Sequence, residues 1–400
     1  MEGYGGMAGV FKDDKGVMSM GVGYKLLVVG NIYDNHLIRF VSNLYEENPL
    51  VDIDFFATIN GGEVSDRVKK AVKDIYKVKG VDSNNKFIRK FQRILRTRMA
   101  LRSIERRKHY NVVNIHFPLE EFGFAVGPFK KLGDSILVTP WGSDVYRSGK
   151  RSRFLLKRLY KGADRICGTG NRFSKDVQKI FNVPESKFVK LDIGSETIDY
   201  ISEKRNDIGA EDARRKLGLS GEYFITCGYN AHTEQHHLII LDAIYQIKDM
   251  LPKETVLLLP LTYPKNESYI KEIKERVKKY EMRAVYYENY LQIEDLFLVR
   301  QSTDMFIHVQ STDANAQSVQ EYILLSKNVL NGSWLRYCEL EMDGIPYHLT
   351  DTLKSLPQAI RKSFEQGPVK VSESTIDYIA SYGWKPWIKK WNDYFISTLK

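Results

Sequence analysis

Cysteine is scarce: Cys167, Cys227 and Cys338 are the only three in 400 residues, and none stands in a CxxC pair or at a zinc-type spacing from histidine. That excludes a disulfide framework and fits a reducing cytoplasm. Long apolar runs are also missing. KLLVVG (25–30) and TVLLLPL (255–261) stop well short of the roughly 20 residues that a bilayer-crossing helix needs. The first 24 residues carry Asp13, Asp14 and several glycines where a secretory leader would carry a continuous apolar segment, so 1–24 is expected to be a mobile tail, with Met18 and Met20 as alternative starts. Internal repeats and low-complexity tracts are absent as well.

What is present points to two domains. The chain is 43% hydrophobic and 12% aromatic, and 400 residues exceed the usual span of one core. Short apolar runs alternate with polar or amphipathic segments: KLLVVG, DIDFFA, VVNIHF, SILVTP, RICGTG and FVKLDIG, then YFITCGY, TVLLLPL, AVYYE, MFIHV and NVLNG. This rhythm is that of parallel α/β sheets. A charged stretch over 193–222 interrupts it, and the expected divisions are 25–200, 201–372 and a closing helical segment, 373–400, with Trp384, Trp387 and Trp391.

Ligands of open parallel sheets bind beyond the carboxyl ends of the strands, so polar residues there are the candidates. His116 ends VVNIHF and reads either as a ligand-orienting group or as a packed core histidine. In TPWGSDVY (139–146), Gly142 admits close approach of a backbone, and Asp144 is either a helix cap or an acid for hydroxyl groups. GYNAHTEQHH (228–237) places Gly228, Tyr229 and Asn230 at a strand end before a helix, with His232, His236 and His237 as extra donors. Free N–H groups and a helix dipole there suit a phosphate, although the turn is neither GxGxxG nor GxxxxGK[ST]. Asp313 and Glu321, eight residues apart after MFIHV, read as two grips on one polyol ligand or as a capping acid and a solvated one; the helix is expected to start near Asn315. Asp52 and Asp54 mimic a DxD, but apolar neighbours argue against a metal.

Lys and Arg number 60 against 50 Asp and Glu, a net charge of +10 that calls for an anionic partner. Residues 87–110 hold nine basic residues and one Glu, with Ile88, Phe91, Leu95 and Met99 on one side of a helix and Arg89, Arg93, Arg96 and Arg107 on another. Seven more basic residues, Arg151 and Arg153 among them, lie between Arg147 and Lys161. No nucleic-acid motif accompanies them, so the readings are an anionic membrane surface or a solvated helix face.

Taken in order, NIHF, TPWGSDVY, ARRKLGL, GYN, the Asp313/Glu321 pair and YGWKPWIKKW resemble the GT-B glycosyltransferases, in particular the large retaining family 4, over most of 25–400. The resemblance implies two Rossmann-like parallel-sheet domains facing each other across a cleft, an N-terminal acceptor side and a C-terminal donor side. It implies a nucleoside diphosphate sugar as donor substrate, with no cofactor and no metal. By the same resemblance Glu321 holds the ribose, Asp313 lies by the donor sugar, His116 touches the transferred sugar and Asp144 lies near the acceptor. Gly228 meets the diphosphate, and Tyr287 to Leu291, with Tyr290, flank the base. One departure stands out: Asn230, His232, Gln235, His236 and His237 occupy the stretch where the family places an Arg and a Lys. GYNAHTEQHH with LPLTYPKNESYI is also similar to the fucosamine-type transferases of enterobacterial common antigen synthesis. The expected protein is a cytoplasmic, peripherally membrane-bound transferase that extends a lipid-linked surface glycan and does not bind nucleic acid. A catalytically silent GT-B partner and a nucleotide-sugar epimerase are the alternatives.

Overall fold

The computed structural model describes residues 8–12, 18–59, 61–78, 85–168, 171–313 and 317–399. They form two compact units, Met1–Gly194 with Trp384–Lys400, and Ser195–Gly383. The divisions thus fall at 194/195 and 383/384, where the sequence reading has 200/201 and 372/373. Part of the segment expected to be a tail is paired: β1 (Ala8–Lys12) and β2 (Met18–Val22) make an antiparallel hairpin.

The first unit is built on β3 (Lys25–Gly30), β4 (Asp52–Ala57), β5 (Ile75–Lys77), β6 (Tyr110–His116), β7 (Gly133–Thr139), β8 (Arg165–Cys167) and β9 (Phe188–Val189), in the order β5-β4-β3-β6-β7-β8-β9. Every pairing is parallel. Leu26 to Val29 are sealed on both faces by helices, which is why this strand reads as an unbroken apolar run. Each such side chain contributes about 1.5–3 kcal/mol by leaving water. Asp34 starts the helix Asn35–Glu47 by accepting the backbone N–H groups of His36 (2.8 Å) and Leu37 (3.4 Å).

The last helix, Trp384–Ser397, completes this unit. Trp391 is buried, edge-on to Phe40 with ring centroids 5.0 Å apart, and its Nε1 donates to the Asp192 carbonyl at 2.6 Å. Asn392 Oδ1 accepts from Tyr24 Oη (3.1 Å) and Asn48 Nδ2 (3.0 Å). Asp54 is likewise structural. It accepts from Tyr110 Oη at 2.6 Å and Lys108 Nζ at 2.6 Å inside the sheet.

The second unit is a six-stranded parallel sheet of β10 (Tyr223–Cys227), β11 (Thr255–Pro260), β12 (Arg283–Tyr287), β13 (Met305–His308), β14 (Asn328–Gly332) and β15 (His348–Thr350), ordered β12-β11-β10-β13-β14-β15. Within ARRKLGL, Arg214 donates to Asp304 (2.6 Å), whose other oxygen accepts the Phe224 N–H (2.8 Å), fastening the entry helix Ala210–Lys216 to the sheet. In both sheets the strand order reverses beside the first strand of the unit, between β3 and β6 and between β10 and β13. Crevices for ligands open at such points.

Candidate functional site

The reversal in the second unit gathers an unusual number of polar side chains. After β10 the chain turns at Gly228, whose φ of +64° a side chain would strain. A Cβ there would also lie 2.9 Å from Gln235 Oε1 and 3.1 Å from His237 Nε2. Those two atoms and His237 Nδ1 are buried without a hydrogen-bond partner. His237 opens the ten-residue helix His237–Gln246, and burial pushes its imidazole down to about 3, so the ring is neutral at physiological pH. His236, with φ +57°, places Nε2 2.9 Å from Ser311 Oγ, and burial lowers its pKa too. His232 is used locally: its Nδ1 accepts the Glu234 N–H at 3.2 Å, and Asn230 Oδ1 accepts the His232 N–H at 2.9 Å. The turn therefore offers a helix N-terminus and neutral polar groups where an arginine and a lysine were the family expectation.

Opposite it, β13 ends in His308, which is fully buried. Asn331 Nδ2 donates to the Leu335 carbonyl at 2.6 Å, which leaves Asn331 Oδ1 to accept from His308 Nδ1 at 2.8 Å. The network so assigns the proton to Nδ1 and a lone pair to Nε2. Nε2 has no hydrogen-bond partner and stands 3.5 Å from Asp313 Oδ2, which accepts from Tyr337 Oη at 3.2 Å. Burial lowers the His308 pKa, against the pull of Asp313, so two acceptors face one another. A ligand hydroxyl can donate to either of them. Tyr229 stacks on His308 at 5.9 Å and shares Gln310 Oε1 with Gln235 Nε2, at 3.2 and 2.8 Å respectively.

Glu321 lies elsewhere. It sits on Gln317–Leu324, a helix described from Gln317 because the expected start near Asn315 falls outside the described residues. Its side chain is 3% exposed, with Oε2 accepting from Arg300 Nε at 2.9 Å and Oε1 from Gln317 Nε2 at 3.0 Å. Arg300 also donates to Tyr322 Oη at 3.0 Å. Glu321 is thus the counter-ion of a buried arginine, and Asp313 alone of the pair joins His308. Tyr290 is on the loop after β12 and is exposed.

In the first unit His116 is a packed core histidine, and Asp144 turns back on the residues before its helix without capping it. His116 is buried among Phe40, Trp141 and Trp391. Trp141 Nε1 lies 3.4 Å from its Nδ1, and Asn114 Nδ2, whose amide oxygen accepts from Thr139 Oγ1 at 2.8 Å, lies 2.8 Å from its Nε2. Neither nitrogen is left for a sugar. Asp144 folds back into its own turn, where Oδ1 accepts the Trp141 N–H at 2.9 Å; Oδ2 is buried without a partner, in the electrostatic reach of Tyr160. Burial raises its pKa to about 7, against the backbone hydrogen bonds. TPWGSDVY is a self-pinned turn with its carboxylate directed inward.

Among the expected surface cations, Arg93 grips Glu121 (Nε–Oε1 2.7 Å), and Arg153 closes the short helix Ser143–Tyr146 by donating to the Val145 and Tyr146 carbonyls. Arg89 and Arg151 are exposed and Arg96 is half-buried. Among the described residues no three His, Cys, Asp or Glu are placed to hold a metal, and no helix is long and apolar enough to cross a membrane.

Two parallel sheets of this order, one in each unit, are those of the GT-B fold. A glycosyltransferase from Rickettsia africae ESF-5 matches 94% of this chain and 99% of its own with a TM-score of 0.71, at 14% identity. HepE of Anabaena in complex with UDP-glucose matches 94% and 99% with a TM-score of 0.66 at 12% identity. Sucrose-phosphate synthase of Thermosynechococcus elongatus matches 94% and 98% with a TM-score of 0.70 at 11% identity. No protein-family model matches the chain, and no curated protein does. At these identities the likeness carries the fold.

Proposed function

We propose that this protein transfers a sugar from a nucleoside diphosphate donor to an acceptor hydroxyl. One observation carries the reading: at the β10–β13 reversal, a glycine turn with a helix N-terminus and the unpaired ring of His237 adjoins the His308–Asp313 pair of acceptors. The first half suits a diphosphate and the second suits sugar hydroxyls. That HepE was crystallised with UDP and with UDP-glucose makes uridine nucleotides the first to try. In the reaction the acceptor oxygen bonds to the anomeric carbon as the bond from that carbon to the diphosphate oxygen breaks. The acceptor proton leaves with the diphosphate. Helix dipole and neutral imidazoles would steady the departing charge. Motif order supports the finer parts of the proposal: retention at the anomeric carbon, no metal, a lipid-linked glycan acceptor and a role in surface polysaccharide synthesis.

Calorimetry with UDP, GDP and their glucose and mannose derivatives tests this. One base should bind, and Asp313→Asn and His308→Ala should each weaken the nucleotide sugar about 10-fold or more while leaving the free nucleotide unchanged, since each removes a hydrogen bond to the sugar alone. Binding of no nucleotide at millimolar ligand would overturn the reading. The lack of Arg and Lys at the turn would then mark a silent GT-B partner.

A further inference from the structure

The helix Lys86–Glu105 wears its apolar residues on the wrong side for a solvated helix. Thr97, Leu101 and Ile104 are buried and, at 3.6 residues per turn, fall within an arc of about 60° that faces the unit's interior. Ile88, Leu95 and Met99 fall within about 40° on the opposite side, with Phe91 about 40° further round. These four are 48–66% exposed. Arg89 and Arg96 flank this outward stripe, Arg102 and Arg106 continue it, and the helix has no acidic residue before Glu105. The stripe is not what holds the helix down. Lys90 pairs with Glu120, Arg93 with Glu121, and Arg98 donates to the Phe124 carbonyl at 2.9 Å, all on the turn Glu120–Phe124. Glu120 also accepts from Ser152 Oγ at 2.8 Å, so the helix Lys150–Gly162 begins alongside. That helix carries Phe154, 70% exposed, beside exposed Lys150 and Arg151.

We propose that Lys86–Glu105 docks this protein on an anionic lipid bilayer, with Ile88, Phe91, Leu95 and Met99 entering the interface and Arg89, Arg102 and Arg106 against lipid phosphates. The charge pattern selects this occupant. A second copy of the helix would set these arginines against their own kind, and a nucleic-acid backbone would use the arginines but leave Phe91 and Met99 in water. An anionic bilayer accepts both, because apolar side chains sink to the acyl boundary while guanidinium groups stay at the headgroups. The proposal does not depend on the reaction proposed above.

The test is flotation of the full-length protein with phosphatidylcholine vesicles, with and without phosphatidylglycerol. The protein should float with anionic vesicles, at least about 10-fold better than with neutral ones, and lose this between about 0.1 M and 1 M salt. Phe91→Gln/Leu95→Gln/Met99→Gln should keep the wild-type melting temperature and bind at least about 10-fold more weakly. Arg89→Gln/Arg102→Gln should lose about fivefold per arginine at low salt. Equal flotation of the triple variant and wild type, or equal binding to neutral vesicles, would overturn the proposal. So would a triple variant that melts early, or one that loses a concentration-dependent dimer or nucleic-acid retention instead of vesicle binding.

Discussion

Glu321→Ala is expected to cost the second unit about 3–5 kcal/mol, the largest effect of any single substitution considered for that unit, because it strands Arg300 where its side chain is 4% exposed. The guanidinium would keep Tyr322 Oη and, at 3.4 Å, Ser318 Oγ, but neither neutralises its charge. Glu321→Gln preserves shape and hydrogen-bonding capacity yet leaves the same uncompensated charge, so it should fall nearly as far. Arg300→Met with Glu321→Leu should recover most of the loss, since a well-packed apolar pair replaces a buried ion pair at little cost. Urea midpoints of the four proteins decide the matter. If Glu321→Ala leaves the midpoint in place and instead removes nucleotide binding, the carboxylate belongs to the ligand and not to Arg300.

Glu321 also illustrates why sequence and structure part company at the site. The eight-residue spacing of Asp313 and Glu321 is visible in the sequence, but Arg300, 21 positions before Glu321, has no signal there and decides what the carboxylate faces. Asp144 teaches the same lesson: GSD after a strand has one spelling whether the acid folds back into its own turn or points at a ligand. By contrast, the strands that form the two cores were legible. KLLVVG and DIDFFA coincide with β3 and β4, residue for residue, because a strand covered on both faces is rich in apolar residues, and the buried Asp54 of β4 is accommodated by Tyr110 and Lys108. The edges β5 and β15 were missed. They are three residues long and partly exposed, so neither alternation nor an apolar run marks them.

His308 was missed although its signal matches that of His116. Each is the last residue of the strand just beyond the reversal of its sheet, β13 and β6 respectively. Their surroundings differ. Trp141 and Asn114 consume both nitrogens of His116, whereas at His308 only Nδ1 is consumed, by Asn331. The two units thus place the same residue at the same topological position, with both ring nitrogens engaged in one and Nε2 left unengaged in the other. Only packing distinguishes them.

The buried histidines make acid sensitivity the second large prediction. His116 and His237 are both pushed down to about 3 by burial, so the folded state resists protons that the unfolded chain takes up below about 6.5. Stability therefore falls as pH falls, by about 2 kcal/mol per histidine between pH 6.5 and 4.5, and His308 adds in the same direction. Asp144 works the other way. Raised to about 7, its carboxyl binds a proton in the folded state while the unfolded one stays ionised, which returns roughly 2 kcal/mol over the same window. Wild type should thus lose about 2 kcal/mol net on this step, whereas Asp144→Asn, without the offset, should lose about 4 kcal/mol. At pH 8 the order reverses: the wild type carries a buried carboxylate, and Asp144→Asn should be more stable by a few kcal/mol while its Oδ1 still accepts the Trp141 N–H. Urea midpoints at pH 8, 6.5 and 4.5 test this crossing. Parallel pH profiles for the two proteins, together with loss of transfer in the variant, would show instead that Asp144 is ionised and faces the reacting sugar.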